Sequence, residues 1–321
     1  MSRCGRPCRR CGAGLVLGLS LAGMLWAPAF AQNSSIAPEP ALLSVEDEET
    51  SGTAESQPSA IDQRISDERV AERHHFALLP YKPNYVLPLT YNSRPNTDLQ
   101  DQLDQTEFKF QISLKVPLAK GVLGDGHLSF GYTQLSFWQA YNHDISASFR
   151  ETDYEPELTL AYLKDVDFWG FANRAVIFGF VHQSNGRDLP LSRSWNRLYA
   201  QFVFERRNLY VSLKPWWRIP EEEKTDPTDT QGDDNPDIED YAGRGEITTL
   251  YRAGRHSFGL QVRNNFRLEH NRSGVQLDWS MPVYESLSVY VQYYNGYGES
   301  LVDYDQYVNR IGLGVMLSNW L

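Results

Sequence analysis

Apolar and polar residues alternate along most of the chain beyond Tyr81. Between residues 108 and 116 every second residue is apolar, and the residues between them are polar. A period of two places the two kinds of side chain on opposite faces of a β-strand. Similar alternation recurs to the end of the chain. The pattern predicts strands at residues 84–92, 108–117, 127–138, 155–164, 174–183, 196–206, 208–218, 245–254, 256–267, 273–282, 286–296 and 308–320.

The number and length of these segments favour a closed barrel. Twelve is an even number, and each segment is near the roughly 9 to 11 residues with which a tilted strand crosses a bilayer. Aromatic residues make up 13% of the chain and are frequent near the predicted strand ends. We therefore predict an all-β fold, a twelve-stranded antiparallel transmembrane β-barrel. A soluble β-sandwich is the alternative, which an export signal and so many aromatic residues disfavour.

The first 31 residues have the pattern of a secretory signal peptide. Four arginines precede an apolar run from Ala13 to Trp26, and the segment Ala29-Phe30-Ala31 offers a small-residue cleavage site. A membrane anchor is the weaker alternative because the apolar run is short for a helical span. The predicted mature chain contains no thiol, since the three cysteines all lie in the signal: Cys4, Cys8 and Cys11.

Residues 32–75 are rich in Ser, Pro, Ala and acidic residues and almost free of aromatic residues. Such a segment cannot bury a core, so we predict an acidic disordered arm before a barrel domain at 76–321. Without the four arginines of the signal, 26 of the 30 basic residues remain against 41 acidic ones, a net charge of −15. A chain this acidic is not expected to bind nucleic acid.

The densest polar stretch of the chain is residues 182–199, HQSNGRDLPLSRSWNRLY, which joins two predicted strands. Counting by twos places His182, Ser184 and Asn196 on the apolar faces of these strands, which in a membrane barrel face lipid. Pairing the strands as a hairpin puts Asn196 opposite His182, about 4.5–5.5 Å away. Three polar side chains on a lipid-facing surface are costly unless they are paired or functional.

These residue types can form a nucleophile, a base and an orienting group. Ser184 would attack an ester carbonyl, His182 would accept its proton, and the Asn196 oxygen would hold the imidazole. The main-chain N–H of Gly186 could point at the resulting oxyanion. The Ser192 hydroxyl and the Arg187 carbonyl are hard oxygens suited to Ca²⁺. An ordinary polar hairpin loop is the alternative interpretation.

Seven motifs occur in a characteristic set: YTQLSFWQ, FRETDYEP, HQSNGR, SRSWNRLY, LKPWW, DDNPDI and NGYGESLVDY. Through them, residues 80–321 resemble the bacterial outer membrane phospholipase A family. The resemblance implies a twelve-stranded barrel with its active site on the exterior, at the level of the outer leaflet. It also implies calcium-dependent hydrolysis of glycerophospholipid acyl esters, of the A1, A2 and lysophospholipase types, by a homodimer that is active only when paired.

The resemblance further implies a role for individual residues. It gives Ser184 as the nucleophile, His182 as the base and Asn196 as the orienting residue. The implied calcium ligands are the Arg187 carbonyl, the Ser192 hydroxyl and, from the partner subunit, Ser146. A polar residue buried at the dimer interface corresponds to Gln134.

One position departs from the family pattern. The family has an aspartate before the proline of the motif, whereas this chain has Leu189 before Pro190 and places Asp188 one residue earlier. In the family that aspartate and the residue matching Asp234 contribute to a second calcium site in the monomer. We therefore expect that second site to be impaired here.

Two other functions are compatible with a membrane barrel. A passive pore or structural barrel is disfavoured because long lumen-facing residues such as Lys109, Lys115 and Arg218 are expected to pair with acids and fill the interior. Deacylation of lipopolysaccharide could use the same three residues on another acyl ester. The resemblance favours phospholipid in the membrane as the substrate.

Overall fold

A computed structural model of the chain describes residues 59–71, 77–96, 102–226, 229 and 231–320. The predicted signal peptide lies outside these ranges, as do residues 32–58 and 72–75 of the predicted arm. None of the helices in the described ranges is long and apolar enough to cross a membrane.

Strands follow one another along the described chain and close into an antiparallel barrel. They are β1 (Leu79–Pro80), β2 (Asn84–Asn92), β3 (Thr106–Val122), β4 (Gly126–Trp138), β5 (Phe149–Phe168), β6 (Phe171–Ser184), β7 (Ser194–Arg206), β8 (Leu209–Ile219), β9 (Gly245–Ala253), β10 (His256–Asn264), β11 (Ser273–Tyr284), β12 (Leu287–Gly296) and β13 (Val308–Ser318). From β2 onward each strand pairs with the next, and β13 pairs with β2. The two-residue β1 only extends the edge beside β3. The predicted twelve-stranded barrel is therefore confirmed.

The ends of the observed strands lie within three residues of the predicted ones, except that β3 and β5 are longer. The first residues of β5 pair with β4 from Phe149 opposite Trp138 to Tyr154 opposite Gln134. A β-bulge lies in this stretch, opposite the step from Phe137 to Trp138. Main-chain pairing needs no alternation of side chains, so a bulged and largely polar stretch forms a strand that the sequence pattern does not reveal.

Ion pairs cross the interior of the barrel. Arg310 contacts Glu107 at 2.7 Å and Glu299 at 2.9 Å, and Lys109 contacts Glu299 at 2.9 Å. All four side chains are almost completely buried. Buried charges are tolerated when they are paired in this way, so these residues cross the lumen and narrow it.

A helix, α1 (Ala60–Ala71), lies within the predicted arm. Ile61 is buried in a cluster with Tyr210 and Leu250 of the barrel. Arg64 donates hydrogen bonds to main-chain carbonyls near both ends of the barrel sequence, including Pro80 at 2.9 Å. The prediction of disorder is wrong for these residues. The helix buries its few apolar side chains against the barrel, so it is ordered without a core of its own.

Candidate active site

The three candidate catalytic residues lie on the outer face of two paired strands. His182 and Ser184 belong to β6, and Asn196 belongs to β7. Their outward neighbours Phe180 and Leu198 are 42% and 45% exposed. The alternation of the strands thus turns the triad away from the lumen, toward the apolar surface that a bilayer would cover.

The same alternation turns large side chains inward, behind the triad. Val181 and Trp195 are 1% and 2% exposed. They pack in one cluster with Trp216 of β8 and with Ile238 of the short helix α2 (Ile238–Tyr241). This cluster supports β6 and β7 from the inside, so the backbone that carries the candidate catalytic side chains rests on a packed layer.

His182 and Asn196 are directly opposite in the strand register and in contact. The His182 Nδ1 and Asn196 Oδ1 atoms are 2.9 Å apart. An amide oxygen only accepts hydrogen bonds, so we infer that Nδ1 carries the imidazole proton and that Nε2 is free to accept one. Ser184 lies two residues further along the same face. No hydrogen bond joins its hydroxyl to His182 within the described chain, and such contacts often tighten only when substrate binds.

The loop that follows Ser184 is held by one buried asparagine. Asn185 donates to Glu151 at 3.0 Å and to the Leu191 carbonyl at 2.8 Å, and its oxygen accepts from the Arg193 N–H at 3.0 Å. The next residue, Gly186, is exposed and has a φ of +62°, a conformation that favours glycine. Asn185 therefore fixes the turn that presents Gly186.

Two of the predicted calcium ligands are in contact with each other. The Ser192 hydroxyl donates to Asp234 Oδ2 at 2.5 Å. The other carboxylate oxygen of Asp234 is buried and forms an ion pair with the ammonium group of Lys224. Calcium binds to hard oxygen ligands, and the oxygens of Ser192 and Asp234 are of this kind. In this structure the positive charge beside them is the ammonium group of Lys224. The described residues contain no cluster of three or more His, Cys, Asp or Glu that could hold a metal ion.

The other predicted site residues are distributed around this centre. Arg187 lies in the loop that joins β6 and β7, and its guanidinium is 3.6 Å from Glu151 of β5. Ser146 is exposed in the turn between β4 and β5, and in the described residues no contact joins it to Ser192 or Arg187. Gln134 faces outward in the same row of the sheet as Ser184, with Tyr154 between them. Two strand spacings separate that pair, about 10 Å.

Acidic side chains from the loop before β13 and the loop before β9 lie beside the loop that joins β6 and β7. The Tyr304 hydroxyl donates to Asp237 at 2.5 Å, and the Arg193 guanidinium lies 5.8 Å from the Tyr304 ring. Burial raises the pKa of the Asp305 carboxyl, and the negative charge of Asp237 adds to that rise while Arg193 opposes it. Arg193 therefore offsets part of the negative charge in the loops that surround the motif.

A carboxylate that the sequence pattern does not reveal contacts the candidate triad. Asn196 Nδ2 donates a hydrogen bond to Glu221 Oε1 at 3.1 Å. Glu221 follows β8, whose last residue, Ile219, is the register partner of Asn196. A register prediction for the β7–β8 hairpin would have indicated this contact, because Glu221 lies two residues beyond that partner.

Comparisons with known proteins support one family. The family described as Phospholipase A1 matches residues 61–317. The chain is 39% identical to a phospholipase A1 of Klebsiella pneumoniae over 251 residues, which cover 76% of this chain and 83% of that protein. It is 40% identical to a phospholipase A1 of Proteus vulgaris, also over 251 residues, with 76% and 82% covered.

Solved structures agree with these sequence relatives. An outer membrane phospholipase A from Escherichia coli superposes with a TM-score of 0.70 at 38% identity, and the match covers 77% of this chain and 100% of that chain. A Salmonella typhi outer membrane phospholipase, described as a dimer with bound calcium, gives a TM-score of 0.70 at 37% identity, with 78% and 97% covered.

Proposed function

The chain belongs to the phospholipase A1 family, and from that premise we propose that it hydrolyses acyl esters of membrane glycerophospholipids with Ser184, His182 and Asn196 as its catalytic residues. The barrel fold and the outer-membrane relatives support a location in the outer membrane. The observation that carries the proposal is the 2.9 Å contact of His182 with Asn196 on the outer face, with Ser184 beside it on the same strand.

The proposed reaction proceeds in two halves. The Ser184 oxygen attacks the ester carbonyl while its proton passes to His182 Nε2, and Asn196 accepts the hydrogen bond of the Nδ1 proton. The tetrahedral oxyanion collapses, the lysophospholipid alcohol leaves with the proton from His182, and an acyl ester remains on Ser184. Water then attacks that ester with His182 again as the base, which releases the fatty acid and restores the serine. The same steps serve the A1, A2 and lysophospholipase reactions, since only the position of the ester differs.

Calcium is proposed to bind beside the nucleophile. The Arg187 carbonyl and the Ser192 hydroxyl would hold it together with the partner subunit's Ser146, and Asp234 lies close enough to add negative charge through Ser192. A bound calcium ion would stabilise the charge of the oxyanion, next to the N–H of Gly186. The Salmonella typhi relative with bound calcium supports this assignment.

The active form is proposed to be a homodimer that pairs through the outer face of β4 and β5. Gln134 of β4 faces outward, accepts a hydrogen bond from the Tyr132 hydroxyl at 3.3 Å and donates one to Ser136 at 3.1 Å. An amide facing lipid is unfavourable, so covering it with a second copy stabilises the pair. Because Gln134 lies in the row of Ser184, that contact would place the partner beside the active site, at the level of the outer leaflet.

Hydrolysis of a defined phospholipid tests the proposal. Detergent-solubilised protein is incubated with phosphatidylethanolamine carrying labelled acyl chains, with calcium or with a chelator, and released fatty acid is measured. We expect release only with calcium and none from Ser184→Ala. The matched control is Ser194→Ala, which removes an outward-facing serine directly opposite Ser184 in the register. Phospholipid hydrolysis at the parental rate by Ser184→Ala would refute the proposed site.

A further inference from the structure

A carboxylate outside the proposed triad holds its third member. The amide nitrogen of Asn196 donates to Glu221 at 3.1 Å while the amide oxygen faces His182 at 2.9 Å. Both Asn196 and Glu221 are half-buried at the outer surface. The two ends of one amide group therefore connect the catalytic base to Glu221.

The orientation of this amide decides whether His182 can act as a base. The oxygen and nitrogen of an asparagine side chain have nearly the same shape, but the oxygen only accepts hydrogen bonds and the nitrogen only donates them. A carboxylate also only accepts, so Glu221 favours the orientation with the nitrogen toward itself and the oxygen toward His182. The reversed amide would donate to Nδ1 and move the imidazole proton to Nε2, where it would block transfer from Ser184.

Resting on the proposed function, we propose that Glu221 is a positioning residue that acts through Asn196 to select the active tautomer of His182. Its negative charge also polarises the amide toward the imidazolium that forms during catalysis. That effect is strengthened because both side chains are half-buried, where charges are screened less than in water. Glu221 contacts neither the ester nor the reacting atoms in this arrangement.

The loop that carries Glu221 is tied down next to it. The Asp233 N–H donates to the carbonyl of Glu222 at 2.8 Å. The Asp233 carboxylate accepts from Arg218 at 2.6 Å, and the Arg218 side chain is buried. These contacts join the two ends of the acidic loop between β8 and α2, residues 220–237, one residue beyond Glu221. They restrict the positions that the Glu221 carboxylate can take.

The first part of the test compares variants at two glutamates of the same loop. Glu221→Ala removes the acceptor, Glu221→Gln keeps an oxygen that can accept from Asn196, and Glu223→Ala removes an exposed carboxylate as the matched control. With calcium saturating, we expect Glu221→Ala to lower kcat about tenfold with KM unchanged, Glu221→Gln to retain more activity, and the control to match the parent. A rise in KM with kcat unchanged would overturn the proposal, as would equal kcat in Glu221→Ala and the parent.

The second part combines Glu221→Ala with Asn196→Ala. A residue that acts only through Asn196 has no effect once Asn196 is absent, so we expect the double variant to equal Asn196→Ala. The same fold loss from Glu221→Ala in both backgrounds would overturn the proposal. Thermal unfolding checks that each variant keeps the parental barrel. Ser184→Ala separates failure of the proposed function from failure of the role proposed for Glu221. An active Ser184→Ala variant would refute the proposed function. An inactive Ser184→Ala variant together with a fully active Glu221→Ala variant would refute only the role of Glu221.

Discussion

Replacing Lys224 by methionine should increase the affinity of the monomer for calcium. The ammonium group of Lys224 pairs with Asp234, whose second oxygen accepts a hydrogen bond from Ser192. A calcium ion approaching these oxygens has to displace that ammonium group. Methionine keeps most of the length of the side chain and removes the charge, so it leaves Asp234 to bind a cation from solution.

The size of the effect follows from how deeply the pair is buried. The Lys224 and Asp234 side chains are 10% and 13% exposed. Exposed ion pairs contribute about 0–1 kcal/mol, while breaking a fully buried pair costs about 3–5 kcal/mol. An intermediate value of about 2 kcal/mol corresponds to calcium affinity about 30-fold higher in Lys224→Met than in the parent.

Calorimetric titration of detergent-solubilised monomer measures this difference directly. Sedimentation fixes the oligomeric state in each titration. Without calcium, Lys224→Met should also unfold at a lower temperature than the parent, because Asp234 loses its counter-charge, and saturating calcium should remove the difference. Lys164→Met is the matched control, since it removes a lysine from an exposed pair with Asp125 at 3.9 Å. Equal calcium affinity in Lys224→Met and the parent would refute the idea that the ammonium group competes with the ion.

Three further outcomes are expected. Asn196→Ala should retain more hydrolytic activity than His182→Ala, because an uncharged orienting residue contributes less than the base; equal losses in the assay of fatty acid release would contradict this. Inactive Ser146→Ala and inactive Ser184→Ala, refolded together, should regain part of the activity, since one site of a mixed dimer has both serines; no recovery in confirmed mixed dimers would contradict the shared site. Ile61→Asp should release α1, because it buries an unpaired charge; limited proteolysis would then cleave at α1 while hydrolysis stays at the parental rate, and a protected α1 would contradict this.

The barrel could be predicted from the sequence because alternation is a local property. Each of the twelve segments shows it, and main-chain pairing between neighbours then closes the ring. The beginning of β5 could not be found in this way, because a bulge interrupts the alternation there. Helix α1 was missed for a different reason: Ile61 is buried only by strands that follow more than a hundred residues later in the chain.

The candidate site was predictable only where strand geometry determines it. Counting by twos and pairing one hairpin placed His182 opposite Asn196, as the structure has them. Glu221 and Lys224 lie in a long loop without periodicity. Their contacts depend on how that loop closes over the strand ends, through links such as that from Arg218 to Asp233. The effect of Leu189 on calcium binding stays a prediction.

Covalent labelling of activated serines tests directly whether Ser184 is the nucleophile. Solubilised protein with calcium is treated with a long-chain alkyl fluorophosphonate, which reacts with activated serines, and the adduct is located by mass spectrometry of peptides. We predict one adduct, on Ser184, formed in step with loss of fatty acid release and absent from His182→Ala. An adduct on another serine that accompanies the loss of activity, with Ser184 unmodified, would contradict it.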